Sequence, residues 1–296
     1  MGRNLGEGAV ANEMKTCISL FGLLLCVVVA DALAQKGGPA AASAPTSGPD
    51  PVRFETRKLH KEYGNYCNGG PKGDLDACVW IDIEYPEVIS APSESAKTKI
   101  NQAIQHWVLA PATGSSDPDP AEGPMFKTPE AAFQDFIDGE KDPNINPMGF
   151  AWWFKRKVKV EYESANVLSL SSERAGFSGG AHENGRMDYL NLRPSTGEPI
   201  RLQDIFKPGF EKRLNSIGEV RFRALKNLDP KASLRENNIW FPNNRFQLND
   251  NFAIGPGGLT FQYNSYEITC FACGAPSVFL PYSDLRNLLR PDAKIP

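Results

Sequence analysis

Histidine is scarce in this chain. Only His60, His106 and His182 occur among 296 residues, and no spacing among them completes a zinc site. No Gly-x-Ser-x-Gly elbow and no Gly-Lys-Ser/Thr phosphate loop is present. Glu161, Glu163, Glu173, Asp188 and Asp204 form no recognisable pair of catalytic carboxylates. These absences move the balance from catalysis towards a binding module that needs no cofactor and no metal. Positive charge is not in excess either: 32 Lys and Arg stand against 35 Asp and Glu, a net charge of −3, which gives no footprint for nucleic acid or an anionic membrane. The basic run Lys155-Arg156-Lys157 is short and reads as a solvated strand face. No internal repeat is evident.

What is present begins with an export signature. Met14-Lys15-Thr16 precedes the apolar run Cys17 to Ala30, and Ala32-Leu33-Ala34 supplies a small-x-small cleavage pattern before Gln35. Residues 1–34 therefore read as a signal peptide. Counted from Met14 it has the usual length of about 15–30 residues, so the residues before Met14 read as the product of an upstream start codon. Asp31 interrupts the apolar run, which is short for a membrane span of about 20 residues, and Leu25 before Cys26 is too bulky for lipoprotein processing. No later run approaches a transmembrane length. The mature chain is expected to be soluble, periplasmic or secreted, without stable membrane insertion after cleavage.

Of six cysteines, Cys17 and Cys26 leave with the signal. Cys67, Cys78, Cys270 and Cys273 remain, an even set suited to two disulfides in an oxidising compartment. Four cysteines permit three pairings, and the local ones, Cys67–Cys78 and Cys270–Cys273, are favoured over crossed pairs. A four-thiolate zinc site and a redox role for Cys270-x-x-Cys273 are disfavoured, because a reactive pair needs a helix after it whereas Gly274-Ala275-Pro276 leads into an apparent strand.

Residues 35–51, rich in Ala, Pro, Gly and Ser, read as a disordered linker. Val52 to Tyr63 and Val79 to Tyr85 are strands of a hairpin stapled near its turn, the second stopping at Pro86. Ser93 caps a helix to Val108 with Ala96, Ile100, Ala103, Ile104 and Trp107 on one face. Thr128-Pro129-Glu130 opens a second helix that Gly139 closes. Two antiparallel strands follow, through Val158–Tyr162 and Asn166–Ser172, then the glycine-rich connection Phe177 to Gly185 and a strand from Met187 to Leu192. Phe210 to Leu228 is a helix with Leu214, Ile217, Val220, Arg221 and Leu225 along its stripe. Near the end, Gly255-Pro256-Gly257-Gly258 is a turn, Leu259 to Tyr263 and Ser277 to Leu280 are strands around the constricted cysteine connection, and Asp284 to Leu289 is a closing helix. The sum is an α+β fold of antiparallel sheets packed with a few helices. Two parts are expected, residues 52–162 and 163–296.

His182 beside Glu183 admits two readings. The ring can be a general base with Glu183 or Asp188 as partner, or a loop side chain bonded to backbone. The second is favoured.

The run SGGAHENGRMDYLNLRPSTGEPIRLQDIFKPG (178–209), LTFQYNSYEI (259–268) and VFLPYSDLRNLL (278–289) resembles the C-terminal ectodomain of the RsiV-like family. That family includes lysozyme-sensing anti-sigma factors, and related domains precede the catalytic module of some peptidoglycan deacetylases. The segment from Cys78 to Val108 is similar to the smaller domain that usually sits in front. The resemblance implies a two-part α+β ectodomain in the cell envelope that binds a lysozyme-type muramidase, or a peptidoglycan fragment. It implies neither sigma-factor regulation nor deacetylation here, because little sequence precedes the signal and no deacetylase module follows. The expected contact residues are His182 and Glu183 in one loop and Tyr263, Tyr266, Glu267 and Phe271 in another segment. A hydrolase acting on envelope polymers through His182 is the alternative.

Overall fold

In this computed structural model residues 51–64, 78–110 and 126–296 are described, all within the compact unit Ser47–Pro296. β1 (Arg53–Tyr63) and β2 (Val79–Ser90) pair antiparallel from Arg53↔Ser90 to Tyr63↔Val79. The signal segment, the linker up to residue 50, the hairpin loop and Cys67 lie outside the described residues. β2 runs past Pro86 to Ser90. Proline is tolerated there because the pairing of β2 with its other neighbour covers only Trp80 to Glu84, so beyond Glu84 hydrogen bonds are needed on one side alone.

That other neighbour, β3 (Trp153–Glu163), is parallel to β2. Parallel neighbours require a crossover, supplied by α1 (Glu94–Val108) and α2 (Pro129–Lys141). Both helices start where their caps place them: Ser93 Oγ accepts from Ala96 N–H and Thr128 Oγ1 from Ala131 N–H. Ile100, Ile104 and Trp107 of α1 and Phe136 and Ile137 of α2 join Ile81, Ile83, Phe154, Val158 and Leu170 in one apolar cluster. Gly139 does not end α2. It sits within the last turn, where an added Cβ would stand 3.0 Å from the Trp152 ring. Pleating turns Phe154, Arg156 and Val158 inward together, so the 155–157 run is solvated only at its lysines.

β4 (Leu168–Phe177) and β5 (Asn184–Leu192) extend the sheet antiparallel. The order is β1-β2-β3-β4-β5. The fold is α+β, with one parallel pair. The expected division at 162/163 falls inside the β3–β4 hairpin. The apolar clusters change over later, between Leu192 and Ile200, with Val167 the exception.

The second cluster is built from α3 (Leu202–Ile205), α4 (Glu211–Leu225), a sheet of β6 (Phe252–Ile254), β7 (Gly258–Gln262) and β8 (Ser277–Pro281), and α5 (Tyr282–Leu285). β7 and β8 form the expected antiparallel pair around the cysteine connection. α5 is shorter than expected: after Leu285 the chain folds back so that Leu289 bridges Phe206 and Arg290 N–H donates to Ile205 O. α4 is rotated from the expected stripe. Leu214, Gly218 and Phe222 are buried while Val220 and Leu225 are exposed. Phe222 is ringed by Phe241, Phe246 and Tyr263 at 5.8, 5.2 and 6.3 Å, and burying one such side chain contributes about 1.5–3 kcal/mol.

Asparagine side chains join the two sheets. Tyr189 N–H donates to Asn251 Oδ1 and Asn251 Nδ2 donates to Met187 O, both at 2.8 Å. Met187 N–H donates to Asn264 Oδ1. An edge strand offers a row of unpaired peptide groups, and along β5 these primary amides take the place of the missing neighbour.

Candidate functional site

Two loops meet beside the free end of β4 and β5. The first, Ser178 to Glu183, turns at Gly179 and Gly180, whose φ values of +92° and +105° suit residues without a Cβ, and it presents His182. The second connects β7 to β8. Its first turn is closed by Glu267 N–H donating to Asn264 O at 3.1 Å. The Glu267 carboxylate then accepts from Asn264 N–H at 2.8 Å and Asn249 Nδ2 at 2.7 Å. This bracing holds Tyr266 at φ +63°, a left-handed conformation that is costly for a bulky residue and persists only where its surroundings impose it. Further on, Trp240 N–H donates to Ile268 O and Thr269 Oγ1 to Asn238 O, each at 2.9 Å. Cys270 and Cys273 are bonded to each other and enclose the single turn that carries Phe271.

The result is a stack of three rings. His182 lies on Phe271 with centroids 3.7 Å apart and planes 15° apart, and Tyr266 flanks them at 6.0 and 5.9 Å. Tyr266 remains 55% exposed. The two segments singled out from sequence thus share a surface at His182, Tyr266 and Phe271. The Glu183 side chain is exposed, and its carbonyl oxygen lies 2.7 Å from His182 Nδ1. Glu267 is a brace for the turn. Tyr263 belongs to the core: it is buried, its hydroxyl donates to Gln247 O at 2.6 Å, and burial, reinforced by the charge of Glu267, pushes its pKa up.

The bonding of His182 bears on chemistry. A carbonyl oxygen only accepts, so Nδ1 carries the proton towards Glu183 O, and Nε2 of the neutral ring accepts from the Tyr266 hydroxyl at 3.0 Å. Both nitrogens are engaged. Asp188, the other acid considered for it, accepts from Arg186 Nε at 2.7 and 2.9 Å. Among the described residues no group of three His, Cys, Asp or Glu converges as a metal site, and no helix is long and apolar enough to cross a membrane.

Beneath Tyr266 lies a cavity of about 350 Å3. Phe136, Trp153, Phe154 and Phe177 give it apolar walls, and Arg174, Arg186 and Asn264 give it polar ones. Sequence reasoning missed these three residues. For the two arginines the signal is registry: Arg156↔Arg174 and Arg174↔Arg186 are opposed on β3, β4 and β5, a pairing that one sequence does not reveal. A wider groove of about 1140 Å3 runs between α1 and β5; neither sequence-derived loop lines it.

Residues 203–283 match the family DUF3298, described as a protein of unknown function. The match takes in α4 and all three strands of the second sheet, with Tyr266 and Phe271 in the connection between β7 and β8. Solved structures with the same fold include a DUF3298 family member from Bacteroides fragilis, 17% identical, covering 81% of this chain and 94% of that one at a TM-score of 0.62. A DUF3298 family protein from Pseudomonas aeruginosa is 18% identical, covering 84% of this chain and 99% of that one at a TM-score of 0.58. At such identity the likeness is one of fold. No curated protein matches.

Proposed function

We propose that this chain is an exported binding protein of the cell envelope that recognises a lysozyme-type muramidase through the ring cluster His182–Tyr266–Phe271. The observation that carries the reading is the convergence of two loops, the second of them braced, on a partly exposed aromatic stack, with Tyr266 held in a strained backbone conformation. Rigid aromatic anchors of this kind supply most of the energy of protein interfaces. The segments that carry His182 and Tyr266 are also among those that resemble the lysozyme-sensing ectodomains. Hydrolysis through His182 is less well supported. The lone pair a general base would offer to substrate is occupied by the Tyr266 hydroxyl.

The test is calorimetric titration of the purified chain against several muramidases, repeated with Tyr266→Ala and Phe271→Ala. The proposal expects each variant to stay folded and to lose about 2 kcal/mol or more of binding, roughly 30-fold. Unchanged affinity in both would remove the cluster from the interface. Peptidoglycan cleavage that disappears with His182→Ala would instead establish the hydrolase.

A further inference from the structure

The groove between α1 and β5 carries an inference that does not depend on the muramidase reading. Its volume of about 1140 Å3 exceeds the usual range of about 300–1000 Å3 for a small-molecule pocket, so an occupant longer than one sugar or amino-acid unit fits. Lys99, Gln102, Ala103, His106 and Trp107 line one side, and their spacing places them on one stripe of α1. Arg186, Asp188, Leu190 and Leu192 line the other. They are alternate residues of β5, on the face that packs towards the helices.

Three features narrow the occupant. Charge along the groove is balanced: Lys99, Arg186 and Arg201 stand against Asp188, Glu198 and Asp250. Four of these are committed to the pairs Lys99–Glu198 and Arg186–Asp188, so little field is left to recruit an ionic ligand. The edge of β5 is closed to an added peptide strand. Met187 N–H and O and Tyr189 N–H are bonded to the Asn251 and Asn264 side chains, and Asn191 O accepts from Ile200 N–H. What the groove does offer is primary amides beside apolar surface. Gln102 and Gln203 are exposed and Gln105 is half-buried. None of the three side chains is bonded to another described residue, and each can both donate and accept. Ala103, Trp107 and Leu190 supply the apolar part.

We propose that this groove binds an uncharged oligosaccharide. Its hydroxyl groups exchange hydrogen bonds with the amides of Gln102, Gln105 and Gln203, and the C–H faces of its rings lie against Ala103, Trp107 and Leu190. Such a chain has two chemical sources, plain hexose units and N-acetylated amino sugars, and an amide can serve either.

The test is heteronuclear NMR of the purified chain titrated with cellotetraose, with chitotetraose, and with the uncharged peptide N-acetyl-tetraalanine amide. Saturable shifts of the Gln102, Gln105 and Gln203 side-chain amide pairs by at least one sugar and not by the peptide are expected, and whichever sugar binds identifies the source. The double variant Gln102→Ala, Gln203→Ala changes two exposed side chains, so it should keep the wild-type backbone spectrum and bind the sugar at least about tenfold more weakly. The wild-type shift map decides the matter even without the variant. The proposal is overturned if neither sugar binds the folded chain at about 10 mM, if the shifts fall on the Tyr266 loop instead of the groove, if the peptide occupies the groove as well as the sugars do, or if the folded double variant binds undiminished.

Discussion

Asn191 sets the strength of the joint between the two sheets. It lies on β5, is 3% exposed, and makes three bonds. Oδ1 accepts from Ser169 Oγ at 2.8 Å and from Ile254 N–H at 2.9 Å, and Nδ2 donates to Phe252 O at 2.7 Å. Replacement by leucine keeps the volume and removes all three. The Ser169 hydroxyl can rotate towards another acceptor. The peptide groups of Ile254 and Phe252 are buried and fixed in β6, and each costs about 1–3 kcal/mol when left unmatched. Burying the leucine returns part of this, so Asn191→Leu is expected to destabilise by about 3 kcal/mol, a large share of a typical total of about 5–15 kcal/mol. Equilibrium urea unfolding followed by tryptophan fluorescence measures it, as a fall in midpoint of about 1 M at unchanged slope. Ser169→Ala, which disturbs one neutral bond, should cost about 1 kcal/mol. A loss under about 1 kcal/mol for Asn191→Leu would show that the sheets are held by apolar packing alone and refute the role given to the asparagines.

Two further perturbations separate local causes. At Gly258 an added Cβ would stand 2.2 Å from Leu280 O and 2.8 Å from Pro281 Cα, both backbone atoms of the paired strand, whereas at Gly257 the nearest atom is Phe279 Cζ at 3.6 Å. Gly258→Ala should therefore lose about 3 kcal/mol or more and Gly257→Ala stay within about 0.5 kcal/mol in thermal melts; equal effects would contradict the close strand approach. On the first sheet Glu84 stands between Lys157 and Lys58 in the registers of β3 and β1. Hydrogen bonds from Lys157 first, then Lys58, pull its pKa from its ordinary 4.5 to about 2. A carboxylate whose pKa falls on folding stabilises above its unfolded value and loses that contribution as pH drops towards the folded one. The stability difference between wild type and Glu84→Gln should thus be present at neutral pH and shrink between about pH 4.5 and 2. A difference that grows on acidification would contradict the pairing.

Much of the fold was legible because its causes are local. Ser93 and Thr128 cap helices through their own side chains, and β7, the Cys270–Cys273 turn and β8 follow one another in sequence. Where the reading slipped, the deciding contact came from far along the chain. Pro86 is tolerated because a strand some seventy residues later ends its pairing early, and α4 turns its Gly218 inward because Leu248 and Phe246 pack there. The site was half visible. Tyr263 continues the alternation of Leu259 and Phe261, all three buried, a signal that it belongs to the core. Tyr266, three residues on, faces outward because Glu267 braces the turn. The side chains of Asn191, Asn251 and Asn264 bond as peptide groups do, and only the assembled sheets reveal it.

The central claim is that the ring cluster is the contact surface of an envelope binding protein. Its most direct test is calorimetry of the purified chain with a panel of muramidases, with residual muramidase activity recorded in the same samples. The account predicts saturable binding to at least one of them with loss of its activity, both weakened by Tyr266→Ala. A folded chain that binds none would contradict the account.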